Sequence, residues 1–184
     1  MWRAVLFALV FIGVGAILAQ EPEEPHKFAP LVAPHHMVFD MDMTDELGEI
    51  ADSATIEHVR CLIGIIEGDT GYVDWAVEPK SVEASAVAAR FTGCPLATLV
   101  EWHNHLPYEF DMEGQSRTPV PPLSVCRLSP IDARQLLEAR APYSLISVNR
   151  EVSCLFVRAQ KADSTQVIMS VPFAPPPRDL DNRK

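Results

Sequence analysis

Basic residues are scarce in this chain of 184: 15 Lys and Arg stand against 25 Asp and Glu, for a net charge of -10 at pH 7. A surface of that sign repels phosphate backbones and anionic lipid headgroups, so no nucleic-acid partner is expected. A membrane-spanning helix needs about 20 apolar residues. The long uncharged apolar run, Ala4 to Leu18, has only 15. The four cysteines, Cys61, Cys94, Cys126 and Cys154, include no C-x-x-C spacing, which argues against a structural zinc site. No internal repeat is present. What the chain does have is 48% hydrophobic residues, which excludes disorder throughout and suits one compact domain of about 100 to 150 residues.

The two ends read differently from the middle. Arg3, the apolar run and Ala19 match a secretory signal peptide over residues 1–19. A secreted or periplasmic protein is therefore expected, with an uncleaved N-terminal anchor as the alternative and no membrane contact once the segment is removed. Residues 20–40 are acidic and carry Pro22, Pro25, Pro30 and Pro34, through which neither helix nor strand should continue. They read as a linker, with His35 and His36 as a solvated pair. Residues 172–184, PFAPPPRDLDNRK, read as a disordered tail, leaving 41–171 as the folded part.

Within it, Thr44 to Thr55 places Leu47, Ile50, Ala51 and Ala54 on one helical face, interrupted by Gly48. Ile56 to Ile66 is aliphatic and β-branched and ends in the turn-like EGDTG, the pattern of a buried strand. Gly71 to Val77 alternates as a second strand, Val82 to Phe91 is Ala-rich and predicts a helix, and Ala97 to Trp102 predicts another strand. Ser129 to Arg140 is a clear helix, followed by the short strands SLISV, SCLFVR and QVIMSV. Such interleaving predicts a mixed α/β fold with a central mixed β-sheet flanked by helices.

Three features carry chemistry. His103 and His105 stand two apart at a strand's end, where the period of two turns both imidazoles to one side, although the pair alone also reads as two partly exposed strand histidines. Ser129-Pro130-Ile131-Asp132 opens a helix with an N-cap Ser, a Pro at the first position and an acid at the third. Capping accounts for that spacing unaided, yet a carboxylate there is also well placed to ligate a metal. Glu57 begins an otherwise apolar strand, a place where a carboxylate is either solvated or has a partner or a task.

Taken in order, a helix, Glu57 with Gly64 seven residues on (EHVRCLIG), His103-Asn104-His105, and Ser129-Pro130-Ile131-Asp132 resemble the JAMM motif of MPN-domain zinc metallopeptidases. The resemblance covers about Asp45 to Val157, and the HNH form is similar to the RadC-like branch. It implies an MPN-type, cytidine deaminase-like architecture and one zinc ion per chain bound by His103, His105 and Asp132, with a water in the fourth position. Two His, one carboxylate and an open vertex are also what zinc hydrolysis independently asks for. The same resemblance implies that Glu57 is the general base and that Ser129 donates toward the developing oxyanion. A protein or peptide substrate follows, cleaved by an exported metallopeptidase or isopeptidase. A catalytically inactive binding scaffold and a metal-dependent amidase acting on a small molecule or cell-wall peptide are the alternatives.

The chain departs from the family pattern at Asn104, where Ser is usual, at Leu106 between His105 and Pro107, and at Arg60, where Gly is common. The stretch between His105 and Ser129 is also long. That insertion combines Tyr108 and Phe110 with Pro119, Pro121 and Pro122 and reads either as a lid or substrate edge or as a plain surface excursion. Four cysteines allow three pairings. Cys94 with Cys126 is the preferred one, both lying in irregular segments beside the proposed site, while Cys61 and Cys154 fit equally well as buried thiols.

Overall fold

The computed structural model describes residues 31–86, 88–110, 117–161, 164–171 and 173. The proposed signal peptide and nearly all of the proposed tail lie outside them. Strands β1 (His36–Phe39), β2 (Val59–Glu67), β3 (Thr70–Val77), β6 (Thr98–Asn104), β9 (Tyr143–Ser147), β10 (Ser153–Gln160) and β11 (Gln166–Val171) form one seven-stranded mixed sheet in the order β1-β3-β2-β6-β9-β10-β11. β6 is antiparallel to β2 and parallel to β9. Two small hairpins lie outside it, β4 (Ser81–Ala84) with β5 (Ala89–Thr92) and β7 (Tyr108–Phe110) with β8 (Arg117–Pro119). The helices are α1 (Met41–Ser53), the single turn α2 (Pro122–Val125) and α3 (Pro130–Glu138). The mixed α/β class expected from the sequence is thus present; of the three helices anticipated, two appear among the described residues, and the single turn α2 is an addition. No helix of the described residues is long and apolar enough to cross a membrane.

Helix α1 begins three residues before Thr44 because Asp40 is its N-cap, accepting from the Met43 amide at 2.9 Å. Met43, Leu47 and Ala51 then recur on one face and pack against Leu62, Val73, Val100 and Trp102 of the sheet. Gly48, unfavourable for a helix interior, is explained by a close approach: a Cβ there would lie 2.9 Å from Arg150 Cγ. The Arg150 guanidinium in turn pairs with Glu49 at 3.0 Å and Asp52 at 2.9 Å.

Two expectations are corrected. The last residues of the supposed linker are part of the fold: His36–Phe39 pair in parallel with Thr70–Val73, and the Tyr143 hydroxyl donates to the Pro34 carbonyl. The prolines stop at Pro34, so the next amides are free to join a ladder. The Ala-rich stretch Val82 to Phe91 is not a helix but the β4–β5 hairpin. Ser85 closes its turn, its amide and its hydroxyl both donating to the Ala88 carbonyl. A Ser that bonds its own neighbourhood competes with the helix ladder, and alanine's propensity is too weak a preference to override that pairing.

Candidate metal centre

All seven residues of β6 are buried, and the two imidazoles stand at its C-terminal end, His103 within the strand and His105 one residue beyond it. Register places His103 between Val59 of β2 and Ile146 of β9, while the His105 amide continues the ladder to the Ser147 carbonyl at 3.0 Å. Because residues two apart share a side, the rings meet with centroids 4.9 Å apart and Nε2 atoms at 3.1 Å.

The carboxylate comes from the first turn of α3. Asp132 Oδ2 accepts from the Ser129 amide at 2.8 Å while the Asp132 amide donates to Ser129 Oγ at 3.2 Å, a complete capping box. The other end of the helix is held by Arg158 of β10, whose guanidinium donates to the carbonyls of Leu136, Leu137, Ala139 and Arg140. A buried cation on those orphan carbonyls stabilises both the helix dipole and the lie of the helix.

From that position Asp132 Oδ1 lies 3.6 Å from His103 Nε2 and Asp132 Oδ2 lies 3.4 Å from His105 Nε2. Four-coordinate zinc with bonds of about 2.0 to 2.1 Å has donor-to-donor edges of about 3.3 Å; the Nε2–Nε2 spacing is close to that, and one donor atom from each of the three residues lies within 4.8 Å of the others, near enough to hold one small cation. The tautomer is suitable too. His105 Nδ1 lies 2.8 Å from the Val125 carbonyl, an acceptor only, so Nδ1 carries the proton and Nε2 presents its lone pair to the cluster. His103, His105 and Asp132 can therefore hold a metal ion.

Charge on the cluster's own side chains follows from burial and pairing. Burial alone would raise Asp132, but the two imidazoles and Ser129 overcome it and hold the carboxyl well below the usual carboxylate range. Burial lowers His103, against the pull of Asp132. Burial would also lower His105, but Asp132, Val125 and Glu57 together raise it.

Glu57 is buried just ahead of β2, close enough to His105 and Asp132 to feel both charges. Burial pushes its carboxyl up to about 7, His105 pulls it down, Asp132 raises it, and the Ala89 amide, a hydrogen-bond donor to it, lowers it. Its own amide donates to the Ser85 carbonyl at 2.8 Å. The hairpin that replaced the expected helix is therefore what holds Glu57.

The structure brings His103, His105 and Asp132 together, sets Glu57 beside them and makes Ser129 the cap of the helix carrying Asp132. Val125, a backbone acceptor, has no side-chain signature in the sequence. Its place in the insertion gives that segment a function neither lid nor surface excursion anticipated, since α2 returns the chain to His105. Glu101 and Arg158, both buried and near enough to feel each other's charge, were also missed, although a Glu two residues before His103 on the same strand face was a usable signal.

The cysteines pair as Cys61 with Cys94 and Cys126 with Cys154, with Cα separations of 5.6 and 5.8 Å, and none is free. The preferred Cys94–Cys126 bridge is thus wrong, and the strand cysteines are not buried thiols. Cys154 lies opposite Ile146, which lies opposite His103, so its side chain is on the face of the sheet that carries His103 and meets Cys126 there. Because Cys126 directly follows Val125, that bridge anchors the carbonyl on His105. Replacing Cys126 and Cys154 by Ser is expected to cost about 3 to 4 kcal/mol of stability by loop entropy, and to weaken the cluster's affinity for a divalent cation roughly 10- to 100-fold through the loosened acceptor. Chemical unfolding and a competitive zinc titration measure the two effects. Unchanged zinc affinity would sever the bridge from the metal cluster.

Glu101 provides a pH test. Burial raises its carboxyl to about 7, and Arg158 pulls it back down. Folded, the proton stays on to about 7. Unfolded, it leaves near 4.5. Across that window the folded chain holds the extra proton, so this group makes stability fall as pH rises. Glu101→Gln removes the slope, so its stability relative to the native protein should increase from pH 4.5 to a plateau above 7. Denaturant unfolding with chelator present at both ends of the window checks it, and a constant difference would contradict the assignment.

Compared with known proteins, the chain matches no protein-family model and no curated protein.

Proposed function

We propose that the protein is an exported zinc-dependent metallopeptidase or isopeptidase of the JAMM type, with an MPN-like architecture. The observation that carries this reading is the convergence of His103, His105 and Asp132 on one point with the buried Glu57 beside it. Zinc, when bound there, supplies Lewis acidity, lowering the pKa of water and polarising an amide carbonyl. Glu57 removes the proton of the attacking water and passes it to the departing amine, a task suited to a carboxyl whose pKa lies near neutrality. Ser129 Oγ accepts from the Asp132 amide, which leaves its own hydrogen for donation to the oxygen that gains negative charge. Two disulfides suit an oxidising compartment outside the cytoplasm.

A protein or peptide substrate is favoured by an open groove of about 490 Å³ between the β4–β5 hairpin and α3. Phe91 and Gln135 line this groove and also line the small cavity that His103 and Asp132 share. Arg90, Arg134, Glu83 and Glu138 give the groove both signs of charge, and Phe91 and Ile131 give it an apolar floor for side chains.

The test is metal content and turnover on one preparation. Protein purified without added zinc is expected to carry about one zinc ion per chain and to cleave amide bonds in a screen of peptide, isopeptide and small amide substrates, with activity lost to chelator. A folded, metal-free protein without turnover would favour the scaffold alternative, and cleavage of small amides alone would favour the amidase.

A further inference from the structure

His103 and His105 face the metal cluster, and strand alternation sends the residue between them the other way. Asn104 is completely buried there, and both ends of its amide are engaged. Its Oδ1 accepts from the His58 amide at 2.6 Å, and its Nδ2 donates to the Ile56 carbonyl at 3.4 Å. Its own backbone amide donates to the His58 carbonyl at 3.3 Å. The two peptide groups taken by the side chain are those on either side of Glu57.

Residues 54–58 lie between α1 and β2, outside both ladders, so Glu57 has no strand to hold it on this side. A carboxamide is a peptide-like group with one acceptor and one donor, and at position 104 it supplies the two bonds that a neighbouring strand would have made. Serine's single hydroxyl is too short to reach both partners. We infer that Asn104 is a positioning residue: through the peptides flanking Glu57 it sets where that carboxylate stands relative to the imidazoles on its own two neighbours. One three-residue segment thereby carries the ligand pair and gauges its separation from the base. The effect on rate rests on the proposed function, whereas the mechanical linkage does not.

A double-mutant cycle on the full chain tests this, using native protein, Asn104→Ser, Glu57→Gln and the pair, with zinc alone as the probe for binding and any amide the native protein cleaves for rate. Asn104→Ser is expected to lower kcat roughly 10- to 100-fold, as loss of a supporting hydrogen-bond partner does, with KM little changed. The deciding comparison is the Glu57→Gln background, where adding Asn104→Ser should change neither kcat nor zinc affinity further, because the group it positions is already disabled. Equal losses in both backgrounds, in rate and in zinc affinity, would show a merely structural residue and overturn the inference.

Coupling in zinc affinity without hydrolysis by native protein would retire the proposed function and leave Asn104's role standing. Should the variants not fold, amide exchange in native protein decides. The His58 amide is expected to be as protected as those of β2, and rapid exchange would overturn the inference.

Discussion

Glu57→Gln is expected to keep zinc at about one ion per chain while lowering turnover by roughly a hundred- to ten-thousand-fold, the range that a positioned general base contributes. Gln has the same length, and its carbonyl oxygen can still accept from the Ala89 amide, so the β4–β5 hairpin stays seated on it. What it loses is the ability to take a proton. The native carboxyl is pushed up to about 7 chiefly by burial, and a cation at the neighbouring donors would favour its charged form and move it down again. The rate of the zinc-loaded native protein should therefore rise with pH along a limb centred below 7. Steady-state kinetics against pH, beside zinc content by atomic absorption, tests both parts. Retained zinc with unchanged turnover would remove Glu57 from the chemistry.

The second large effect concerns the metal itself. Asp132→Asn should reduce bound zinc from about one ion per chain to near zero, and His103→Ala should do the same. The two are informative together because they disturb the fold differently. Asn at 132 can still accept from the Ser129 amide, so the helix start survives and chiefly the charge is lost. Without that charge the site offers a cation two neutral imidazoles and no anionic donor. His103→Ala instead removes a donor and leaves a small cavity at the end of β6. At 100 times its dissociation constant, zinc stabilises a native site by about 2.7 kcal/mol. Thermal unfolding with and without zinc should thus show an increase in Tm for the native protein and none for either variant. An undiminished increase in both would mean that zinc binds somewhere else.

The sequence made some parts of the protein legible and hid others for identifiable reasons. Strands β2, β3, β6, β9, β10 and β11 are visible because each carries a local apolar period, and α3 because Ser129, Pro130 and Asp132 mark its start within four residues. The β4–β5 hairpin was hidden by its alanines, whose local preference is helical, and by the fact that its seat on Glu57 is a contact across about 30 positions. Strand β1 was masked by the prolines just before it. The disulfide pairing, the Arg158 cap on α3 and the Val125 carbonyl on His105 leave no local trace, since each joins segments distant in sequence.

What the sequence determined alone was therefore short-range: the mixed α/β class, the common orientation of His103 and His105, and the capping box that aims Asp132. Only the tertiary structure decided that these ends meet, that a hairpin and Asn104 hold Glu57 beside them, and which cysteines tie the arrangement down. The reason is physical. Periodicity and capping arise from bonds a few residues apart, whereas a metal cluster is a coincidence of strand register and helix placement that only the folded sheet can impose.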